Sequence, residues 1–360
     1  MRRMTRLILI VMVAVGCGQP RPETDEDVPR GPVLEIVAES PRQWTGVAVT
    51  PAGRIFANFP RWSAEVPVSV AEVLPGGTIR PYPDEAWNSW SPEADGARTF
   101  VCVQSVVGDG EGSLWVLDPA SPRLQGVVPG AAKLVQIDTG TDEVVTVIRF
   151  DDDVAPASSY LNDVRIDHEH HAAYITDSGA GALIVIDLET GAIRRVLDDH
   201  PSTSAEDTVL VFGGHEWRNP DGSAAKVHAD GIAFDAAHDL VYFQALTGRT
   251  LYRVSGAALR DPMLDASSLG AVVETVAHSG PSDGLLWDGD DGVFISAIEE
   301  DAIKRWTPSG GLETVIADPM IAWPDSFAHG PKGALYVTTS QIHLGPSPPD
   351  PYRILRITLP

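Results

Sequence analysis

Cysteine is almost missing from this 360-residue chain: there are two, and one of them, Cys17, closes the N-terminal leader. The body that remains carries Cys102 alone, so no internal disulfide can form and Cys102 reads as a buried thiol. Basic residues are scarce as well, 26 against 50 acidic, for a net charge of −24, with no Lys/Arg cluster after the leader. Such a chain repels a phosphate backbone, which excludes nucleic acid as a partner. Long apolar runs are lacking: the one near the start, Leu7 to Val15, is too short to cross a bilayer. What is plentiful is turn chemistry, Gly 33 and Pro 29 without a period in a chain that is 43% hydrophobic. That combination predicts many turns joining many short strands.

Arg2, Arg3 and Arg6 precede the apolar run and Gly16-Cys17-Gly18 ends it, the layout of an export signal. Ala14-Val15-Gly16-Cys17 resembles the lipobox of bacterial lipoproteins, which implies removal of residues 1–16 and acylation of Cys17. Two acyl chains suffice for stable attachment, so contact with a membrane is expected through this anchor only. Gly18 stands where Asp would favour the inner membrane, which implies an exported protein at the outer membrane and periplasm or at the cell surface. Residues 17–30 read as the lipidated cysteine and a flexible tether, polar, acidic and punctuated by proline. Residues 31–360 are expected to form one domain.

Within that domain one unit recurs six times: a polar residue, a short apolar strand, an Asp/Gly/Pro turn and an alternating second strand. Copies open at Thr45-Gly46-Val47, Phe100-Val101-Cys102, Leu161-Asn162-Asp163, Asp230-Gly231-Ile232, Ser282-Asp283-Gly284 and Pro324-Asp325-Ser326. The third is complete, with further strands at Leu183–Asp187 and Ile193–Leu197 around the hairpin signal Glu189-Thr190-Gly191. No stretch between the copies has sustained helical periodicity. The fold predicted is therefore all-β, a six-bladed β-propeller of four-stranded units. Val33–Val37 and Tyr352–Ile357 are left over at the two ends, and pairing them within one blade closes the ring and removes an open edge.

Asp or Asn before Gly commonly caps a turn through its own backbone. Recurrence at equivalent places in successive blades adds a second meaning, because those places face one axis, where convergent oxygens make a site. Asn162, Asp230 and Asp283 lead this ring, and Asp163, Asp325 and Thr45 accompany them. His228, two residues before Asp230, is the candidate general base because it titrates near neutrality. Acid–base work at a substrate carbon would fall to Asp230 or Asp283 with His228.

Tyr174-Ile175-Thr176-Asp177-Ser178-Gly179, Leu183–Asp187, Leu240-Val241-Tyr242-Phe243, Leu251-Tyr252-Arg253, Trp323-Pro324-Asp325-Ser326-Phe327 and Gly333–Val337 resemble, in order, the yellow/major royal jelly protein family. That resemblance implies either a dopachrome tautomerase-like isomerase or a binder of biogenic amines. The propeller is also similar to the regucalcin/gluconolactonase family, which implies a divalent cation at the axial mouth. There Asn162, Asp230 and Asp283 fall on the ligand positions, while Thr45 replaces a Glu. Oxygen donors of this kind suit Ca²⁺ or Mg²⁺. Three readings stay open: a monomeric propeller taking a small polar or aromatic molecule at the mouth, a metal-dependent lactonase, and a surface scaffold for protein partners.

Other signals carry less. Gly280-Pro281-Ser282-Asp283-Gly284 spells a nucleophile elbow but precedes a strand rather than a helix. His168–His171 occupies a hairpin turn, and Asp288–Gly292 reads as a hairpin tip. Trp62, Trp87, Trp90 and Trp217 lie in polar connections, where they either stack on a ligand or pack the rim.

Overall fold

Each repeat folds as a four-stranded antiparallel sheet, and in a computed structural model describing residues 31–360 six such sheets stand around one axis. The expected leader, Cys17 and the tether lie outside the described residues. The innermost strands of blades 1 to 6 are Val47–Val49, Ser105–Gly108, Leu161–Asp167, Ala229–Asp235, Ser282–Trp287 and Pro324–His329. Most of their apolar residues are buried, whereas an outermost strand such as Glu143–Arg149 has only exposed and half-buried positions. Burial thus decides which strand of a blade has which pattern. Among the described residues no helix is long and apolar enough to cross a membrane.

The ring closes as the terminal strands predict. Val33–Ser40 pairs antiparallel with Tyr352–Thr358, from Val33 opposite Thr358 to Ser40 opposite Tyr352, and becomes the outer strand of blade 6. The first strand and the last are thereby stitched together, and no blade is left to open. Trp44 is wholly buried beside this joint and donates its indole N–H to the Arg353 carbonyl at 3.1 Å.

Blade 2 differs from the sequence reading. Its inner strand is Ser105–Gly108, and Phe100–Val103 is a buried irregular segment ahead of it. The reason is Asp118, whose carboxylate accepts the amides of Val101 (2.7 Å) and Cys102 (2.9 Å) that a strand would have paired. Asp118 is itself held at 2.8 Å by Lys133, and neither side chain is exposed at all. Cys102 is buried, and burial pushes its thiol up to about 12.

Candidate functional site

Four of the six inner strands carry the same irregularity at the same place. The register breaks between Leu161 and Val164, Ala229 and Ile232, Ser282 and Leu285, and Pro324 and Phe327. Each break is a β-bulge, which re-aims side chains and leaves a ladder amide unpaired. The residues inside the bulges are Asn162-Asp163, Asp230-Gly231, Asp283-Gly284 and Asp325-Ser326. The orphaned amides find partners on the second strand: Asp163 N–H on Thr176 Oγ1 (3.2 Å), Asp283 and Gly284 N–H on Ser296 Oγ (3.0 and 2.9 Å), Ser326 N–H on Thr338 Oγ1 (3.1 Å). In blade 1 Asn58 Oδ1 takes the Gly46 amide at 2.9 Å.

Glycine follows Asp230 and Asp283 because the next blade crowds the axis. A Cβ on Gly231 would collide with the Asp283 carbonyl oxygen, and one on Gly284 with that of Asp325. The Asp-Gly pairs are therefore close-approach sites rather than turn caps, and their carboxylates are free for other work. Asn162 Nδ2 donates to Asp230 Oδ2 at 2.7 Å and to Ser178 Oγ at 3.1 Å. Asp230 and Asp283 are in hydrogen-bond contact through their carboxyls, and Trp323 Nε1 donates to Asp283 Oδ2 at 2.7 Å.

Both members of this pair are buried, and burial raises both. Asp283 is pushed up to about 6, held down by the Trp323 N–H. Asp230 lies well above the usual carboxylate range, raised by burial and then by the Asp283 charge. The two carboxyls therefore titrate as a pair in which Asp230 holds a proton more firmly than Asp283. Asp325 is raised well above that range too, by burial and by the Asp283 charge, and its Oδ2 is buried without a hydrogen-bond partner.

Asp163 is separate. Arg165 meets its Oδ2 at 2.9 Å and donates to the Val164 and Leu285 carbonyls at 2.6 and 2.7 Å. That guanidinium neutralises Asp163 and leaves Asp230, Asp283 and Asp325 without a cation of their own. Two further candidates lie apart from the group. The Thr45 hydroxyl is consumed by the Gln104 carbonyl (2.9 Å) and the Asn58 amide (2.8 Å) and has no exposure. His228 points into the blade 3–4 connection, where its Nδ1 accepts the Ala205 amide at 3.1 Å and burial lowers its pKa.

Above the carboxyl pair opens a cavity of about 430 Å³, with Asn162, Asp230 and Asp283 in its lining. Much of its wall is aromatic and apolar, with Trp62, Tyr160, Trp217, Trp323, Leu246 and Ile342, and Gln104, Ser178 and Lys226 add polar groups. Trp62 and Trp217 thus face the mouth. Trp87 instead packs on Phe100 (5.0 Å), and Trp90 lies under the Arg61 guanidinium (5.3 Å). Trp62 Nε1 donates to Tyr160 Oη at 2.7 Å, and Tyr160 donates to Gln104 Oε1 at 2.9 Å. The sequence reading missed Tyr160, Ser178 and Trp323 as site residues. No sequence pattern marks those three, whereas the polar residues Thr176, Ser296 and Thr338 late in the second strands mark the bulges opposite.

Several signals find structural employment. Ser282 opens a strand and its hydroxyl is buried against Gly284 O and Ser296. Asp288 Oδ1 accepts the amides of Asp290 and Gly292 at a hairpin tip. Asp167, His170 and Asp239 converge closely enough to hold a cation, but the Arg260 guanidinium already bridges Asp167 and Asp239 at 2.9 Å. At the mouth Asn162, Asp230 and Asp283 are hard oxygen donors of the kind Ca²⁺ or Mg²⁺ takes, although among the described residues it is Asp167, His170 and Asp239 whose three ligand atoms lie closest to a cation's spacing.

The sequence profile described as Major royal jelly protein matches residues 101–321. No curated protein matches the sequence. Among solved structures, a gluconolactonase from Xanthomonas campestris superposes with a TM-score of 0.57 at 14% identity, covering 91% of this chain and 89% of its own. Regucalcin from Agrobacterium tumefaciens, a calcium-binding protein, gives 0.54 at 15% identity over 90% and 92%. A luciferin-regenerating enzyme gives 0.55 at 13% identity over 91% and 95%. At these identities the likeness carries the propeller fold.

Proposed function

The chain belongs to the major royal jelly protein family, and on that premise we propose that it binds a small aromatic molecule bearing an amine in the axial mouth. The observation that carries this reading is an anionic floor beneath an aromatic wall: Asp283 and Asp230 lie under Trp62, Trp217 and Trp323, while Lys226, the basic residue of the lining, spends its ammonium on the Glu206 carbonyl at 2.9 Å and Asp207 Oδ1 at 3.4 Å. An ammonium group satisfies the floor, and a planar ring satisfies the wall. The carboxyl pair is also equipped for proton transfer. Asp283, ionised and steadied by Trp323, can take a proton from a bound ligand while Asp230 returns one, which is the requirement for tautomerisation. Thermal-shift measurements test the binding claim. Aromatic amines should raise the melting temperature in proportion to the logarithm of their concentration, while carboxylates of the same ring should not. Stabilisation by the carboxylates and not the amines would overturn it.

The hard oxygens that Asn162, Asp230 and Asp283 bring to the mouth support a second reading, a lactonase-type hydrolase using Ca²⁺ or Mg²⁺. Asn162, Asp230 and Asp283 would hold the ion, which when bound supplies a polarised carbonyl and an activated water. One tightly bound divalent ion per chain, lost in Asn162→Ala/Asp283→Ala, would favour this reading over the first. In either case we propose an exported protein acting as a monomer, anchored to a membrane through an acylated Cys17.

A further inference from the structure

One piece of the molecule belongs to no blade. Leu210–Phe212 and His215–Trp217 pair as a two-stranded hairpin within the connection between blades 3 and 4. Its turn, Gly213-Gly214, has both residues at positive φ (56° and 84°), as a two-residue hairpin turn requires. Leu210 stands opposite Trp217, so Leu210, Phe212 and Trp217 share one face. That face is turned onto the mouth. Leu210 is buried with Leu246, Ile298 and Trp323, whereas Val211 on the other face is exposed. The Val211 amide donates to Glu299 Oε1 of blade 5 at 2.8 Å, and the Phe212 ring stacks on blade 6, 5.1 Å from Trp323 and 4.4 Å from His343. The hairpin is thus a strap reaching from blade 3 across to blades 5 and 6.

We propose that this strap is the specificity element of the mouth: Trp217 selects planar aromatic ligands, and Phe212 is a positioning residue that acts through Trp323. Trp217 lines the cavity and meets Trp323 edge-on at 5.5 Å and 68°, so it adds a ring wall that no blade supplies. Phe212 does not line the cavity. It packs on Trp323, which sits at φ 50°, a conformation an aromatic residue keeps only when its surroundings hold it. The held indole is the group that fixes the Asp283 carboxylate at 2.7 Å. Sequence alone hides this role, because the strap lies outside the repeats. The inference rests on the proposed binding of an aromatic amine, and its test separates the two.

The probes are 2-phenylethylamine and 2-cyclohexylethylamine, which share an ammonium group and a carbon skeleton and differ in the ring, titrated calorimetrically into the intact protein. The wild type should favour the aromatic amine by about five- to tenfold, the worth of a ring contact. Trp217→Ala should bring the ratio near one by weakening the aromatic amine alone, and Trp217→Phe should restore part of it. Phe212→Leu should weaken both amines alike and alter the near-ultraviolet circular dichroism of the tryptophans. A ratio unchanged in Trp217→Ala, or both amines weakened equally there, would overturn the proposal. If neither amine binds the wild type, 2-phenylethanol and 2-cyclohexylethanol decide. An aromatic preference that Trp217→Ala removes keeps the strap and discards the amine, and no aromatic preference discards the strap.

Discussion

Asp283→Asn should make this protein more stable at neutral pH, although it removes a buried, hydrogen-bonded side chain. The Asp283 carboxyl titrates near 6 in the folded chain against an ordinary value of 3.8, because burial penalises its charge. Below pH 4 it is protonated folded and unfolded alike. Between pH 4 and 6 the folded chain keeps a proton that the unfolded chain gives up, so stability falls as pH rises through that window and levels off above it. A difference of 6 minus 3.8 in pKa corresponds to about 3 kcal/mol. Asn keeps an acceptor for Trp323 and cannot ionise. It also relieves Asp230 and Asp325 of the neighbouring charge, which adds in the same direction. Urea unfolding from pH 4 to 8 in the presence of EDTA measures this directly. The wild-type and variant curves should diverge by about 3 kcal/mol between pH 4 and 7, with the variant on top. Parallel curves would refute the claim that Asp283 is held ionised against its surroundings, a cost tolerated at functional sites.

Three further perturbations probe the frame around that pair. Arg165→Met should cost about 3–5 kcal/mol by leaving Asp163 buried and unpaired, and adding Asp163→Asn should recover most of it; a double-mutant cycle by urea unfolding reads the coupling. Gly284→Ala should destabilise by at least about 1–3 kcal/mol, because its Cβ meets the Asp325 carbonyl of the next blade, and calorimetric melting would show it. Ser296→Ala strips the partner from the Asp283 and Gly284 amides, a loss of about 1–3 kcal/mol per amide. It should also weaken ligand binding as the bulge relaxes, measurable by unfolding and titration on the same variant.

The architecture was legible because burial writes itself into each blade. Five of the six openings, the complete third repeat and the two terminal strands lie where the pattern put them, and the opening of blade 2 is displaced. There the apolar run Phe100–Val103 is buried as a strand would be, yet Asp118 seventeen residues on takes the amide of Val101, a partnership that no local pattern announces. The axial ring was legible in part. Asn162, Asp230 and Asp283 recur at one repeat position and do converge. Thr45 sits at that position too, but its hydroxyl is spent between blades, and His228 is near Asp230 in sequence yet faces another connection. Trp217 was readable as a residue that stacks on a ligand or packs the rim, but Trp323 and the pairing of the strap were not, since their contacts join residues more than a hundred positions apart.

The most direct measurement of the account is a calorimetric titration of 2-phenylethylamine into the wild type and into Asp283→Asn at pH 7. Binding at one site in the wild type, weakened at least tenfold in the variant, is the predicted result. Equal affinity in both proteins would show that the carboxyl floor of the mouth does not receive the amine, and the proposed function would fall.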